Sequence, residues 1–333
     1  MNVWDRLRGD PRALALAIGV PVLALLTVVL WVAVARPSTA DPSPTPLAQV
    51  SPTPTTEPTP EPTPAPTPEP TATPTPRPAA LDDGRLTVLF LGSDDSASRR
   101  LRRPTGEYLT DAITVVSIKG NGRRAALFSL PRDTVDLQLA DGTIWTGKAN
   151  ALSFYRGPEA ARGAMAILLG IPIDHYVQLD MDDFRAIVRE VGGLTVNVRY
   201  TLSGHPCTIE AGKRKLDSER ALCYARHRYT DSDYARAGRH QQLLLALRTE
   251  VLRSRVRIPA LLDNLESLRT DVPMRDLGAY ADLLRRSRRA EVSRLVLAPP
   301  TYTTFAGVAG TRGWVSIPNV PAIQAAVADL LSP

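Results

Sequence analysis

Apolar and polar positions recur with two different periods along most of this chain, and one stretch near the start shows neither. From Leu86 onward "LTVLFLG", "AITVVSIKG" and "AALFSLPRD" are short apolar runs, two closing on glycine and one on proline and charge. They predict three strands in close order. Residues 158–169 then carry a helical period, and "DHYVQLD" alternates as a strand before "MDDFRAIVREVGG", where Asp180 or Asp182 is placed to cap a helix and Gly192 to end it. "LTVNVRY" reads as the next strand. Helical spacing returns over 216–226, 238–254, 258–268 and 274–287; "RLVLAPP" and "GWVSIP" are late strands, and a last helix is predicted from about Pro321 to Leu331. Interleaving of this kind predicts an α/β domain over 81–333, with one mixed central sheet covered by helices on both faces.

The exception is "ALALAIGVPVLALLTVVLWVAVA", residues 13–35, which holds no charge and has Arg12 and Arg36 at its ends. It is long enough to cross about 30 Å of hydrocarbon as one helix, with Trp31 near a boundary. A cleaved signal peptide is the alternative, but the run exceeds a usual apolar core and no small-residue cleavage site precedes the prolines. Arg6, Arg8 and Arg12 precede the span against Arg36 alone just after it. That bias predicts a cytoplasmic tail over 1–12 and places everything from Pro37 onward outside the cytoplasm.

Composition changes the picture in two places. About half of the chain's 30 prolines fall between Pro37 and Pro78, in repeats such as "TPEPTPAPTPEP". Residues 36–80 therefore read as an extended, disordered Pro/Thr-rich tether with almost nothing to bury. The net charge of +6 suggests nucleic acid only for a chain that meets it, and an external domain does not. In an oxidising compartment Cys207 and Cys223, the only cysteines, read as a disulfide closing a loop beside a basic cluster, with two buried thiols as the alternative.

That cluster is "LCYARHRYTDSDYARAGRHQQ", which holds Arg226, Arg228, Arg236, Arg239 and His240 around Asp233. Like charges so close together call for an anion. Asp94 follows the first predicted strand and Asp111 opens the second, so neighbouring strands would bring both carboxylates to one sheet edge, where open α/β folds place ligands. Two oxygen ligands of this kind suit Mg²⁺, which takes the rest of its shell from water and phosphate. Arg132 in "LPRDT" and Lys148 in "GKANAL" are expected beside them, as a site for a metal-bound phosphate or pyrophosphate.

"LFLGSDD", "TDAITVVSI", "LFSLPRDT", "GKANALSFYRG", "LLGIPIDHYVQLDMDDFRAIVREVGGLTVNV" and "LDSERALCYARHRYTDSDYARAGRHQQ" stand in the order and spacing of the LytR-CpsA-Psr family, which the chain resembles from about Leu86 to Val251. The resemblance implies a membrane-anchored phosphotransferase. Such an enzyme takes a glycopolymer from a polyprenyl pyrophosphate carrier and joins it by a phosphodiester to a peptidoglycan hydroxyl. Hydrolysis of the pyrophosphate, with water as acceptor, is a third reading of the same site, expected as a side reaction. Carried over by position, Asp94 and Asp111 are the Mg²⁺-linked aspartates. Arg132, Lys148, Arg226, Arg228 and Arg236 are the pyrophosphate-binding residues, extended here to Arg239 and His240. Asp233 is the acidic residue that either orients an arginine or takes the acceptor's proton.

Two positions depart from the family's pattern. Leu109 stands where an arginine is usual two residues before the second aspartate, and His240 stands in place of a glutamine. Arg99, Arg100, Arg102 or Arg103 is the expected source of the missing guanidinium, with a basic loop that touches acidic wall polymer or lipid headgroups as the alternative. His240 is expected to donate to a phosphate and to make binding pH-sensitive. A non-catalytic anchor for lipid-linked or wall-bound phosphorylated glycopolymer is the other reading. "AMAILLG" and "LLLAL" are apolar enough to line the groove for a polyprenyl chain that the resemblance implies, with ordinary packed core as the alternative at their helical spacing.

Overall fold

The computed structural model describes residues 81, 84–103, 105–204, 207–228, 232–253, 265 and 267–332. The expected tail, membrane span and tether over 1–80 lie outside these, as does most of the helix expected over 258–268. No helix among the described residues is long and apolar enough to cross a membrane.

In chain order the elements begin with β1 (Arg85–Ser93), α1 (Ala97–Arg102), β2 (Thr110–Lys119) and β3 (Arg124–Ser129). A small hairpin of β4 (Leu137–Gln138) and β5 (Ile144–Trp145) precedes α2 (Ala149–Arg156), α3 (Pro158–Leu169) and β6 (His175–Leu179). Then come α4 (Met181–Glu190), β7 (Leu194–Val198), β8 (Gly212–Leu216), α5 (Ser218–Arg226) and α6 (Asp233–Val251). The chain closes with β9 (Arg269–Thr270), α7 (Leu277–Arg286), β10 (Glu291–Val296), β11 (Thr303–Val308), β12 (Trp314–Pro318) and α8 (Val320–Leu331).

Six strands form the central sheet in the order β10-β3-β2-β1-β6-β9. β1 pairs antiparallel with β2 and parallel with β6, so the sheet is mixed, as the sequence predicts. One face buries Leu89, Leu91, Ile113, Val115 and Phe128 against α2, α3 and α8. Each such side chain contributes about 1.5–3 kcal/mol by leaving water. The opposite face meets α4, α6 and α7 through two smaller clusters. The motif "IPIDHYV" seats β6 beside β1, because the Asp174 carboxylate accepts the Thr87 N–H at 2.7 Å. In "VGG", Gly193 has φ +97° and a Cβ there would stand 2.8 Å from the Leu216 carbonyl, so no side chain fits.

Several elements lie outside the apolar pattern. β8, "GKRKL", is charged yet pairs with β7, and α1, "ASRRLR", buries nothing and is held by its Ser96 cap. α2 buries Asn150 and Ser153 among its apolar residues, which hides its period. Cys207 and Cys223 form the expected disulfide, with Cα atoms 6.4 Å apart. It ties the β7–β8 connection to α5 three residues before Arg226, and closing a loop of this size stabilises the fold by about 3 kcal/mol.

Candidate active site

β1, β3 and β6 end at the edge of the sheet where β2 begins, and the charged residues gather there. A register shift between Gly92 and Ser93 breaks the β1–β2 ladder just before Asp94, the kind of irregularity that re-aims a side chain. Asp94 Oδ1 accepts the Leu109 N–H at 2.8 Å, and Arg99 Nη1 lies 2.9 Å from Oδ2. Burial raises the Asp94 carboxyl above its ordinary range; Arg99 works against this and the charge of Asp111 adds to it.

Asp111 is the hub. Arg132 donates to both its oxygens at 3.1 and 3.2 Å, and Asn150 Nδ2 donates to Oδ1 at 3.3 Å. Arg228 Nη2 reaches Oδ2 at 3.1 Å and Arg236 Nη1 at 3.4 Å. Burial pushes the Asp111 carboxyl up, but Arg236 and Arg132 prevail and hold it below the usual value, so it stays ionised. Asp233, at the start of α6, lies 3.2 Å from Arg236 and 3.4 Å from Arg132. Burial raises it too, and the same two arginines bring it below its ordinary value.

The basic cluster divides in two. Arg226, Arg228 and Arg236 line one cavity with Asp94, Arg99, Asp111 and Arg132. Arg226 makes no ion pair or hydrogen bond among the described residues; burial and then the facing Arg99 lower its pKa. A guanidinium held near another, with no carboxylate paired to it, is a place an anion stabilises. Arg239 is placed elsewhere: it is buried and donates to the carbonyls of Tyr224 and His227. His240 borders the cavity, but its Nε2 lies 2.9 Å from the Ala225 carbonyl, which fixes the proton on that nitrogen. Burial, then Arg236, push its pKa down to about 4, so the ring is neutral near pH 7 and the expected pH sensitivity moves well into acid. Arg239 and His240 brace the end of α5 and thereby position Arg226 and Arg228.

Lys148 lies outside this cavity, 2.6 Å from Asp133 in a neighbouring recess. Of the four loop arginines, only Arg99 reaches the cavity; Arg100 pairs with Asp95 and Asp180, and Arg102 and Arg103 are exposed. Asn150 and Asp133 escaped the sequence reading, although "GKANAL" and "LPRDT" carry them beside residues it did single out.

The cavity measures about 530 Å³. Behind its charged mouth it is walled by apolar side chains of β1, α4 and α6, and a second, almost wholly apolar cavity of about 170 Å³ continues beneath the sheet. Phe90, Leu179, Ile187, Leu244 and Leu247 border both. Of the two segments expected to line a groove, "LLLAL" does so, whereas "AMAILLG" contributes Ala164, Met165, Leu168 and Leu169 to the packed core on the other face.

Asp94 and Asp111 fit a hard cation in part by what they lack: they offer oxygen only, and each raises the cost of the other's charge. No cluster of three or more metal-ligating side chains occurs among the described residues. Any ion held by this pair would complete its shell from water and ligand oxygens.

The chain and its fold have counterparts among known proteins. The LytR_cpsA_psr family model matches residues 60–308. TagU of Enterococcus faecalis, a polyisoprenyl-teichoic acid–peptidoglycan teichoic acid transferase, is 32% identical over 169 residues, 50% of this chain and 54% of that protein. TagV of Bacillus subtilis, with the same activity in its name, is 31% identical over 170 residues, 48% of this chain and 42% of its own length. The match thus spans about half the length of these relatives. The crystal structure of Bacillus subtilis TagV superposes with a TM-score of 0.59 at 25% identity, covering 74% of this chain and 97% of that one. TagT bound to LIIa-WTA shares the fold with a TM-score of 0.58 at 21% identity, over 74% and 89% of the two chains. With the family model running through every element that builds the charged edge, the chain belongs to the LytR-CpsA-Psr family.

Proposed function

We propose that this protein is an extracytoplasmic phosphotransferase, anchored by residues 13–35, that moves a glycopolymer from a polyprenyl pyrophosphate carrier to a peptidoglycan sugar hydroxyl. The observation that carries this reading is the joining of an arginine-rich mouth to an apolar cavity that continues under the sheet. A polyprenyl pyrophosphate has that shape and polarity: a doubly charged head on an apolar chain. The relatives named as teichoic acid transferases support the reaction class.

In this reading Arg226, Arg228 and Arg236 hold the phosphate oxygens, while Arg99 supplies the guanidinium that the family's pattern has at position 109. Mg²⁺ at Asp94 and Asp111 supplies neutralisation of the pyrophosphate's charge when bound. The acceptor oxygen forms a bond to the glycan-side phosphorus as the bridging bond to polyprenyl phosphate breaks. The hydroxyl proton passes to the ionised Asp233, and polyprenyl phosphate leaves with the electron pair of the broken bond. Water in the acceptor's place hydrolyses the pyrophosphate by the same step.

The test incubates the full-length protein with a polyprenyl pyrophosphate-linked saccharide, peptidoglycan fragments and Mg²⁺, and follows polyprenyl phosphate. Asp111→Ala removes the carboxylate that orders three arginines and is expected to cost about 100- to 1,000-fold in turnover; Arg228→Ala costs less. Tight donor binding without any release by the wild type would make the protein an anchor and overturn the transferase reading.

A further inference from the structure

On the far side of Arg132 from the lipid-sized cavity lies a recess of about 410 Å³ bordered mostly by charged and polar residues, and Arg132 is the one residue that borders both. Its Nη1 faces Asp111 on the cavity side, while its Nε lies 3.4 Å from both Asp133 and Asp233 on the recess side. Lys148, Tyr234 and Trp314 complete the recess. Trp314 is unusual for a folded domain, since 52% of it remains exposed although it sits on a strand. An exposed indole offers a broad apolar face that water solvates poorly, and such rings mark binding sites when polar groups converge beside them.

The strand that carries the ring is held in place from below. The backbone of β12 bonds to the segment that follows Arg132, with Ser316 N–H donating to the Asp133 carbonyl at 3.1 Å and Val135 N–H donating to the Ser316 carbonyl at 3.0 Å. Arg312, two residues before Trp314, lies 2.8 Å from Asp136 and donates to the Thr146 carbonyl at 3.0 Å. Trp314 is therefore presented on a rigid hairpin, at little further ordering cost to a ligand that stacks on it.

Phosphoryl transfer sets the direction of approach, because the attacking oxygen and the leaving oxygen stand roughly in line across the phosphorus. If polyprenyl phosphate departs into the apolar cavity, the acceptor must arrive from the other side, with a proton acceptor next to its hydroxyl. The recess meets both conditions. We propose that it is the acceptor subsite: a β-1,4-linked N-acetylhexosamine strand stacks a sugar face on Trp314 and hydrogen-bonds through Lys148 and Asp133, bringing one hydroxyl to Asp233. This assignment rests on the proposed transfer reaction and specifies where its second substrate sits.

Glycan binding tests the recess independently of turnover. Full-length protein in detergent is titrated with a β-1,4-linked N-acetylglucosamine tetrasaccharide by calorimetry, as wild type, Trp314→Ala and Trp314→Phe, with thermal melts to show that each is folded. Loss of the stacking face is expected to weaken binding about tenfold in Trp314→Ala, with most of it restored in Trp314→Phe. Equal binding by wild type and Trp314→Ala, or none by the wild type, overturns the assignment. In the transfer assay the acceptor KM of Trp314→Ala should rise about tenfold while the donor KM moves less than about twofold. A rise in donor KM alone would give the recess to the donor's own sugars and overturn the proposal. Glycan binding that needs Trp314 in a protein without turnover would count against the transferase reading and leave the recess standing.

Discussion

Leu89 on one face of β1 is sealed beneath α2, α3 and α8, whereas Val88 and Phe90 on the other face border a hollow between the sheet and α6. All three side chains are apolar and all belong to one strand. The two faces differ in what stands opposite: interdigitating Ala164, Met165 and Leu168 on the first, and Leu244 and Leu247 held back from the sheet on the second. A filled face supplies stability. A hollow one gives up dispersion contacts and leaves room for an apolar ligand.

Paired substitutions on the two faces should break this contrast if it is wrong. Leu168→Ala in the packed core is expected to lower the unfolding free energy by about 2–5 kcal/mol in urea titrations, while folded protein keeps its turnover. Leu247→Trp, which fills the hollow, is expected to leave the melting temperature nearly unchanged and to reduce turnover of a polyprenyl-linked donor about 100-fold. If both variants lose stability alike, the hollow is ordinary core.

A smaller effect sharpens the picture at the cavity's mouth. Arg99→Ala removes the partner of Asp94 and is expected to raise the donor KM about tenfold, where Arg102→Ala does nothing measurable. Introducing Leu109→Arg into Arg99→Ala should recover most of the loss. Failure of that rescue would mean that Arg99 does not substitute for an arginine at 109.

The smallest effect is in pH. The His240 pKa falls from 6.5 to about 4 on folding, so between these values the unfolded chain takes up a proton that the folded one does not. This group's contribution is therefore fully present above about pH 6.5 and is lost as pH drops towards 4. His240→Gln should flatten that part of the stability profile in urea unfolding at pH 7 and pH 4.5. An unchanged slope would show that His240 is not the group responsible.

Much of the site was legible along the chain because strand ends announce themselves. Asp94, Asp111 and Arg132 follow or open apolar runs that can pair in only a few ways, and antiparallel pairing of β1 with β2 puts them at one edge. The fate of the basic cluster was not legible. Arg236, Arg239 and His240 are near neighbours on one helix, yet Arg236 faces Asp111 and Asp233, while the other two turn to the carbonyls at the end of α5. Composition cannot distinguish an arginine that awaits an anion from one that satisfies a backbone, since both need only charge and reach. Lys148 shows the same limit: its place in "GKANAL" puts it near the edge, and only the pairing with Asp133 puts it in the recess.

By itself the sequence determined five of the six central strands, the charged edge, the cysteine pair and the family, because apolar periodicity, turn residues and motif spacing are local properties of the chain. Tertiary structure alone decided which apolar face is solid and which is hollow, which arginines face the cavity, and that Trp314 stands across Arg132 from it. Those outcomes depend on the separation of whole layers and on side chains more than 100 positions apart, as with Asp111 and Arg228. No local pattern encodes such distances, since they are set by how every layer packs at once.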